Sequence, residues 1–324
     1  MKNILVSGSL AYDNVMTFPG RFREHIQPDK LHVLSVSFQL DRLEKNYGGT
    51  AGNIAYNLAL LGLRPTVLAA AGQDSKDYIF WLRKHKVDVG SVKIARGKTA
   101  SANIVTDRDH NQITGFYPGA LFQSTGVPAN SILKKSKLAI ISPGNIGDMV
   151  KYAAAYRKAK LSYIIDPGQV TGFLSPGQLR QVISGAKVLI GNDYEMTLIS
   201  KRTGWSLSQL LKKSDIVVTT LGAKGSIIQE GSKKIKVSAV KPKKMVDPTG
   251  AGDAYRAGLI YGILNDLPLL KTGQIAGTVA VHAVERYGTQ NHSFTLASIK
   301  RRCQRAFSSL SSRPKRTKPS EAGK

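Results

Sequence analysis

Short apolar runs recur along the chain, each followed by a polar turn: LAIISPGN from Leu138, LSYIIDPGQ from Leu161, KVLIGNDYE from Lys187 and DIVVTTLG from Asp215. Runs of this length, rich in β-branched residues, read as buried strands. Stretches of helical length separate them. In residues 147–160, Met149, Ala153 and Tyr156 fall on one helical face. Strands alternating with helices predict an α/β fold, a doubly wound, mostly parallel sheet flanked by helices. Ligands of such sheets bind beyond the carboxyl ends of the strands, where Ser142, Asp166, Asn192 and Thr220 would stand.

Two regions interrupt the alternation, about 15–47 and 99–122. The second, TASANIVTDRDHNQITGFYPG, reads as two short strands around the polar turn 107–111. A small β-sheet lid beside the main domain would shield a reaction from water; a surface hairpin without function is the plainer alternative. After Ile299 the pattern gives way to KRRCQRAFSSLSSRPKRTKPSEAGK. Its first part can complete a helix. The expected organisation is one domain over 1–307 and a basic, flexible tail over 308–324, whose Ser, Pro and Lys/Arg content offers nothing to pack.

Composition narrows the class. Of 324 residues, 42% are hydrophobic and 7% aromatic, as in ordinary soluble enzymes. No apolar run is long enough to span a bilayer, Asp13 interrupts any signal-peptide core, and the single Cys303 excludes an intramolecular disulfide framework. The expectation is a cytoplasmic protein without a membrane partner. The balance of 47 Lys+Arg against 21 Asp+Glu, net +26, favours anionic partners without naming one. His25, His32, His282 and His292 lack metal-ligand spacing and read as surface or core residues.

Two glycine-rich stretches carry the candidate chemistry. In GGTAGNIAYNLALLG, the pair Gly48–Gly49 feeds a helix with Ile54, Leu58 and Leu61 on one face, and Asn53 lies in its first turn. In DPTGAGDAYRAGLIYGIL, Ala257, Ile260, Tyr261 and Leu264 mark the buried face of a second helix. Helix N-termini present unpaired N–H groups. The amides of Gly250, Ala251 and Gly252 would therefore form an anion hole, with Asp253 placed to take a proton from an attacking hydroxyl. A helix cap with a nearby aspartate is the plainer reading. No GxxxxGK[ST] phosphate loop occurs, so any ATP site must be built here.

GGTAGN and DPTGAGD, in this order, resemble the two signatures of the ribokinase-like, or PfkB, family of carbohydrate and nucleoside kinases. NDYE (192–195) is similar to the family's magnesium motif and TTLGAKGS to its nucleotide loop. GSLAYDNVMTFPGRFREHI and NQITGFYPGA look most like the bacterial and archaeal adenosine kinase-like nucleoside kinases. The resemblance spans about 4–295 and implies a ribokinase-like fold and transfer of the ATP γ-phosphoryl group to a nucleoside, adenosine first, with a sugar kinase of the ribose or fructose type as the alternative. It further implies Asp253 as catalytic base over the Gly250–Ala251–Gly252 anion hole. Asp13, ending the first strand, with Gly48, Gly49 and Asn53, would hold the ribose. Gln112 and Phe116 of the lid would cover the nucleoside. Thr220, Gly222 and Gly225 would border ATP, and Asn192 and Glu195 would order Mg²⁺ through water.

Arg256 departs from the general sugar-kinase pattern; it is placed either to reach a phosphate or to form an ion pair. Asp247 and the backbone near Gly288 are the candidates for a monovalent cation, K⁺, which some members of the family need. The implied assembly is a monomer, or a homodimer through the lid. A contrasting reading is a nucleic-acid-binding protein on a kinase scaffold, contacting phosphates nonspecifically through Arg301, Arg302, Arg305, Arg313, Lys315, Arg316 and Lys318.

Overall fold

A computed structural model describes residues 3–109 and 111–311. The first strands are β1 (Asn3–Ser7), β2 (Ala11–Thr17), β3 (Arg42–Gly48), β4 (Arg64–Leu68), β5 (Ala70–Gly72), β6 (Lys93–Ala95), β7 (Ala100–Thr106) and β8 (Gln112–Tyr117). They are followed by β9 (Ser136–Ile141), β10 (Tyr163–Ile165), β11 (Ala186–Asn192), β12 (Ser214–Thr220), β13 (Ser226–Glu230) and β14 (Lys233–Val237). The helices are α1 (Phe22–His25), α2 (Thr50–Leu60), α3 (Lys76–Lys84), α4 (Asn130–Lys135), α5 (Ile146–Lys158) and α6 (Pro176–Ile183), then α7 (Asp193–Thr203), α8 (Leu207–Leu211), α9 (Ala251–Leu264), α10 (Leu269–Val284) and α11 (Leu296–Ser311).

The main sheet has eight strands in the order β14-β13-β12-β11-β10-β9-β1-β4. From β12 to β4 all neighbours are parallel, and β13 and β14 add an antiparallel edge. The chain moves from β1 outward to β4, then returns to the other side of β1 and proceeds through β9 to β14. The reversal leaves a crevice beyond the strand ends around β1 and β9.

Alternate residues of each strand feed opposite layers. Ile4, Val6, Ile140, Val188 and Val218 join α2, α3, α9, α10 and α11 in one core, which includes Ile54, Leu58, Ala257, Ile260 and Ile299. Leu5, Ala139, Ile141, Ile165 and Leu189 face the other layer, where α5, α6, α7 and α8 contribute Met149, Tyr156, Val182, Ile199 and Leu210. Strands covered on both faces are near-continuously apolar, which is why they stood out in the sequence.

The lid is a four-stranded sheet in the order β3-β2-β7-β8. Its first part begins at Ala11, earlier than residue 15, so Asp13 stands inside lid strand β2, whereas β1 ends at Ser7. The chain leaves the main sheet at Gly8–Leu10, where Ser9 turns to bond α2 instead: the Thr50 N–H donates to Ser9 Oγ at 3.0 Å. The hairpin β7–β8 turns at 107–111 as expected, with Asp107 accepting from the backbone N–H groups of Asp109 and Asn111. On the lid face away from the cleft, Leu43, Ile113 and Tyr117 are exposed.

Helix α11 runs through Ser308 to Ser311, past the expected start of the tail, and Arg302 on it forms a two-pronged ion pair with Glu285 (2.6 and 2.8 Å). That guanidinium serves helix docking. Residues 312–324, with Arg313, Lys315, Arg316 and Lys318, lie outside the described residues. Among the described residues, no helix is long and apolar enough to cross a membrane.

Candidate active site

A cleft of about 670 Å³ opens between the lid and the carboxyl ends of the main strands. Asp13, Ala102 and Phe116 enter it from the lid, Gly49, Thr50 and Asn53 from the start of α2, and Gly250, Gly252, Asp253 and Arg256 from the start of α9. Asp166, Asn192 and Thr220 line it from the ends of β10, β11 and β12, and Glu195 from the first turn of α7. Residues more than 200 positions apart thus share one cavity.

Local chemistry explains how each helix start reaches it. Gly250 caps α9 in the left-handed region, φ +77°, a conformation glycine adopts without strain. Of the three expected anion-hole amides, Gly250 and Gly252 have no backbone acceptor among the described residues, while the Ala251 N–H reaches back to the Pro248 carbonyl at 3.3 Å. Gly250 and Gly252 line the cleft and Ala251 does not. The start of α2 is clamped by hydroxyls: Thr50 Oγ1 donates to the Pro143 carbonyl at 3.1 Å, and Ser142 Oγ lies 3.1 Å from Thr50 Oγ1. Ser142 itself is fully buried, so it anchors the cleft floor rather than facing a ligand.

Asp253 accepts a hydrogen bond from Asn53 Nδ2 at 2.9 Å. Burial pushes its carboxyl up to about 6, opposed by the nearby Arg256 charge and by the Asn53 bond. Asp13 stands across the cleft, likewise raised to about 6 by burial and then by the charge of Asp247. Two carboxylates of similar affinity for protons in one cleft suit a site that binds hydroxyls and removes a proton from one of them. Gly48 does not line the cleft; it backs the Asp13 carboxylate so closely that a Cβ there would lie 2.3 Å from Asp13 Oδ2.

Other expected residues fall differently. Arg256 forks onto Asp166, through Nη2–Oδ1 at 2.7 Å and Nε–Oδ2, and also donates to the Gly252 carbonyl at 2.9 Å. This is the ion-pair alternative, made in the cleft wall. Asn192 and Glu195 form a capping box at the start of α7, both bonds 2.7 Å. Each still borders the cleft, with Glu195 Oε1 outside the box. Gln112 is not brought in: it pairs with Thr106 at the far end of β8, about 13 Å along the strand from Phe116. Gly222 and Gly225 shape the turn after β12 without lining the cleft; a Cβ at Gly225 would meet the Val237 carbonyl at 2.0 Å. Asp247 and Gly288 do come together, the Gly288 N–H donating to Asp247 Oδ2 at 3.0 Å.

Sequence reasoning passed over Asp166 as a partner for Arg256, and Thr289 and Gln290 altogether. Asp166 carried a signal, its place at a strand end. Gln290 carried none, because its partners Asn53 and Trp81 lie 237 and 209 positions away. Of the histidines singled out above, His292 is buried against Asn57 and lowered to about 4 by burial, whereas His25 and His32 are exposed.

The family model for the pfkB family carbohydrate kinases matches residues 11–295. The chain belongs to that family. Among its pfkB relatives, a nucleoside kinase of Methanothermobacter thermautotrophicus is 31% identical over 297 residues, covering 90% of this chain and 92% of the relative. A solved structure of Burkholderia thailandensis nucleoside kinase in complex with inosine superposes with a TM-score of 0.84 at 34% identity, covering 94% of this chain and 98% of that one. The nucleoside kinase of Methanocaldococcus jannaschii, an archaeal member of the ribokinase family, gives 0.84 at 28% identity, covering 94% and 99%. The fold expected from the strand–helix alternation is thus the ribokinase-like fold of these pfkB enzymes.

Proposed function

We propose that the protein is an ATP-dependent nucleoside kinase transferring the γ-phosphoryl group of Mg·ATP to the ribose 5′-hydroxyl. The observation that carries this reading is the Asp253 carboxylate, held by Asn53 at the start of α9 beside the open amides of Gly250 and Gly252, with Asp13 across the same cleft. The likeness to nucleoside kinases over nine-tenths of the chain supports a nucleoside as acceptor; one of these relatives is a solved complex with inosine.

In this reading Asp13, with Asn53 and the Gly49 backbone, binds the ribose diol, a carboxylate and an amide supplying acceptor and donor together. Phe116 and Ala102 cover the base side. Asp253 takes the proton of the 5′-hydroxyl as its oxygen attacks the γ-phosphorus; the bond to the β-phosphate oxygen breaks and ADP departs with that electron pair. The Gly250 and Gly252 N–H groups meet the charge on the equatorial oxygens, and the positive end of the α9 dipole adds to them. Asn192, Glu195 and Thr220 border the nucleotide. Arg256 holds Asp166 and keeps positive charge beside Asp253.

The donor set around Asn192 and Glu195 offers one uncommitted carboxylate oxygen, and no group of three or more acidic, His or Cys side chains forms a metal cage among the described residues. It fits a magnesium ion that keeps most of its water and is bound mainly by phosphates, where it would neutralise phosphate charge. Asp247 and the Gly288 backbone are the place for a monovalent cation.

The decisive experiment is a panel of adenosine, inosine, guanosine, cytidine, ribose and fructose with Mg·ATP, read as kcat/KM. A nucleoside is expected to lead, adenosine first. Ribose or fructose exceeding every nucleoside would replace this reading with that of a sugar kinase.

A further inference from the structure

Behind the Asp253 carboxylate lies a chain of buried polar side chains whose direction is set at one end. Gln290, 2% exposed, accepts at Oε1 from the Trp81 indole N–H (3.1 Å). Its Nε2 donates to Asn53 Oδ1 (3.0 Å) and to the Tyr78 hydroxyl (2.6 Å). Asn53 Nδ2 donates to Asp253 (2.9 Å), and the Tyr78 hydroxyl donates to the Gly48 carbonyl (2.7 Å). An indole N–H can only donate, so the Gln290 atom facing it must be the carbonyl oxygen. The Gln290 amide NH₂ then faces Asn53, which must answer with its own oxygen. Only that orientation leaves the Asn53 NH₂ for Asp253; the reverse would set a carbonyl against a carboxylate.

We propose that Gln290, oriented by Trp81, is a positioning residue for phosphoryl transfer: it holds the Asn53 amide with its N–H toward Asp253 and, through Tyr78, holds the Gly48 carbonyl beside the ribose-binding Asp13. The proposal rests on the reading of Asp253 as the base. The packing leaves the assembly little freedom. Tyr78 is fully buried and stacked on Tyr47 at 4.6 Å between ring centroids. Its hydroxyl occupies space that a Cβ on Gly52 would enter, at 1.9 Å. Besides Asn53, the groups facing Asp253 are Arg256 on its own helix, Asp166 beyond β10, Asp13 on β2 and Tyr78 on α3. Of these neighbours, Asn53 supplies the hydrogen bond to the carboxylate.

The test uses the full chain and the pH dependence of kcat and KM with Mg·ATP and the best nucleoside. Gln290→Met keeps the volume and removes both polar ends. It is expected to lower kcat about ten- to hundredfold and to move the acid limb upward by about 0.5–1 pH unit, because the bond favouring the ionised base is lost. Trp81→Phe, which leaves Gln290 in place but frees its amide to turn, is expected to shift the limb in the same direction by less, with kcat reduced about threefold. Tyr78→Phe should raise the nucleoside KM several-fold without moving the limb. If Gln290→Met does not fold, Trp81→Phe carries the test alone. An unmoved acid limb in the folded variants, with kcat falling only as the folded fraction falls, overturns the proposal. Turnover surviving in Asp253→Asn instead overturns the assignment of the base, a separate result.

Discussion

At the scale of single residues the site turns on two carboxylates that burial has made poor acids. As the proposed base, Asp253 must be ionised to accept a proton, and its value near 6 places the acid limb of kcat/KM, which reports the free enzyme, close to pH 6: kcat/KM is full above it and falls as the pH drops through it. Asp13, also near 6, must be ionised to accept from the ribose in the proposed complex, so kcat/KM should fall more steeply than one proton allows, as a coupled pair. A limb near pH 4 would remove both groups from the profile. Asp253→Asn is expected to lower kcat roughly 10²- to 10⁴-fold with ATP binding retained, measured by steady-state kinetics and nucleotide titration. Asp13→Ala is expected to raise KM for ribonucleosides at least about tenfold, since a charge-assisted bond is lost. The parent enzyme should already discriminate against 2′-deoxynucleosides, and equal kcat/KM for adenosine and 2′-deoxyadenosine would sink the placement of Asp13.

At the scale of elements, the cleft depends on where helices begin. The start of α2 is tied to the ends of β1 and β9 by Ser9, Thr50 and Ser142, and α9 begins at the left-handed Gly250. Helix α11 secures the other end of α10 through the Arg302–Glu285 pair. Hydrogen bonding from Arg302 lowers Glu285 from 4.5 to about 2. A depressed acid contributes stability that is complete above its unfolded value and is lost as pH falls toward the folded one. Glu285→Gln should therefore destabilise the fold by about 1–2 kcal/mol at pH 7, and the difference should shrink as pH drops from 4.5 toward 3. Urea midpoints of parent and variant at pH 7 and pH 3 decide it; an identical gap at both would mean that packing, not charge, is responsible.

At the scale of the whole molecule, the lid is a second sheet seated on the core through Tyr12 and Tyr47, which pack on Tyr78 of α3. Asp13, Ala102 and Phe116 form one rung across three lid strands, β2, β7 and β8, so the lid brings the proposed ribose contact and base cover to the cleft as one body. Phe116 is 54% exposed in this structure and contributes little to folding. Phe116→Ala is expected to raise the nucleoside KM about tenfold, through loss of apolar contact with the base, while shifting Tm by less than about 2 °C. A large fall in Tm with unchanged KM would make Phe116 a core residue of the lid.

Much of this architecture was legible along the chain because its causes are local. Strands buried on both faces must be apolar throughout, and a helix start aimed at an anion needs glycine and free amides close together, so Leu138, Ile164 and Val188 and the stretch 247–253 announced themselves. The turn at 107–111 followed from its polar residues. Asp13 stands out along the chain, but on β2 and not at the end of the first strand, because the departure of the chain from the sheet at Gly8–Leu10 depends on the distant Thr50. Arg256 was ambiguous until folding brought Asp166 to it across 90 positions. Gln112 looked like a companion of Phe116 from its nearness in sequence, yet strand β8 carries it away at more than 3 Å per residue. Gln290 was invisible, since nothing local marks a glutamine that Trp81, Tyr78 and Asn53 will surround. Periodicity and turn chemistry are properties of neighbouring residues and can be read from their order; the polarity of a buried hydrogen-bond chain belongs to groups that meet only when the sheet, the lid and helices α2, α3 and α9 have packed.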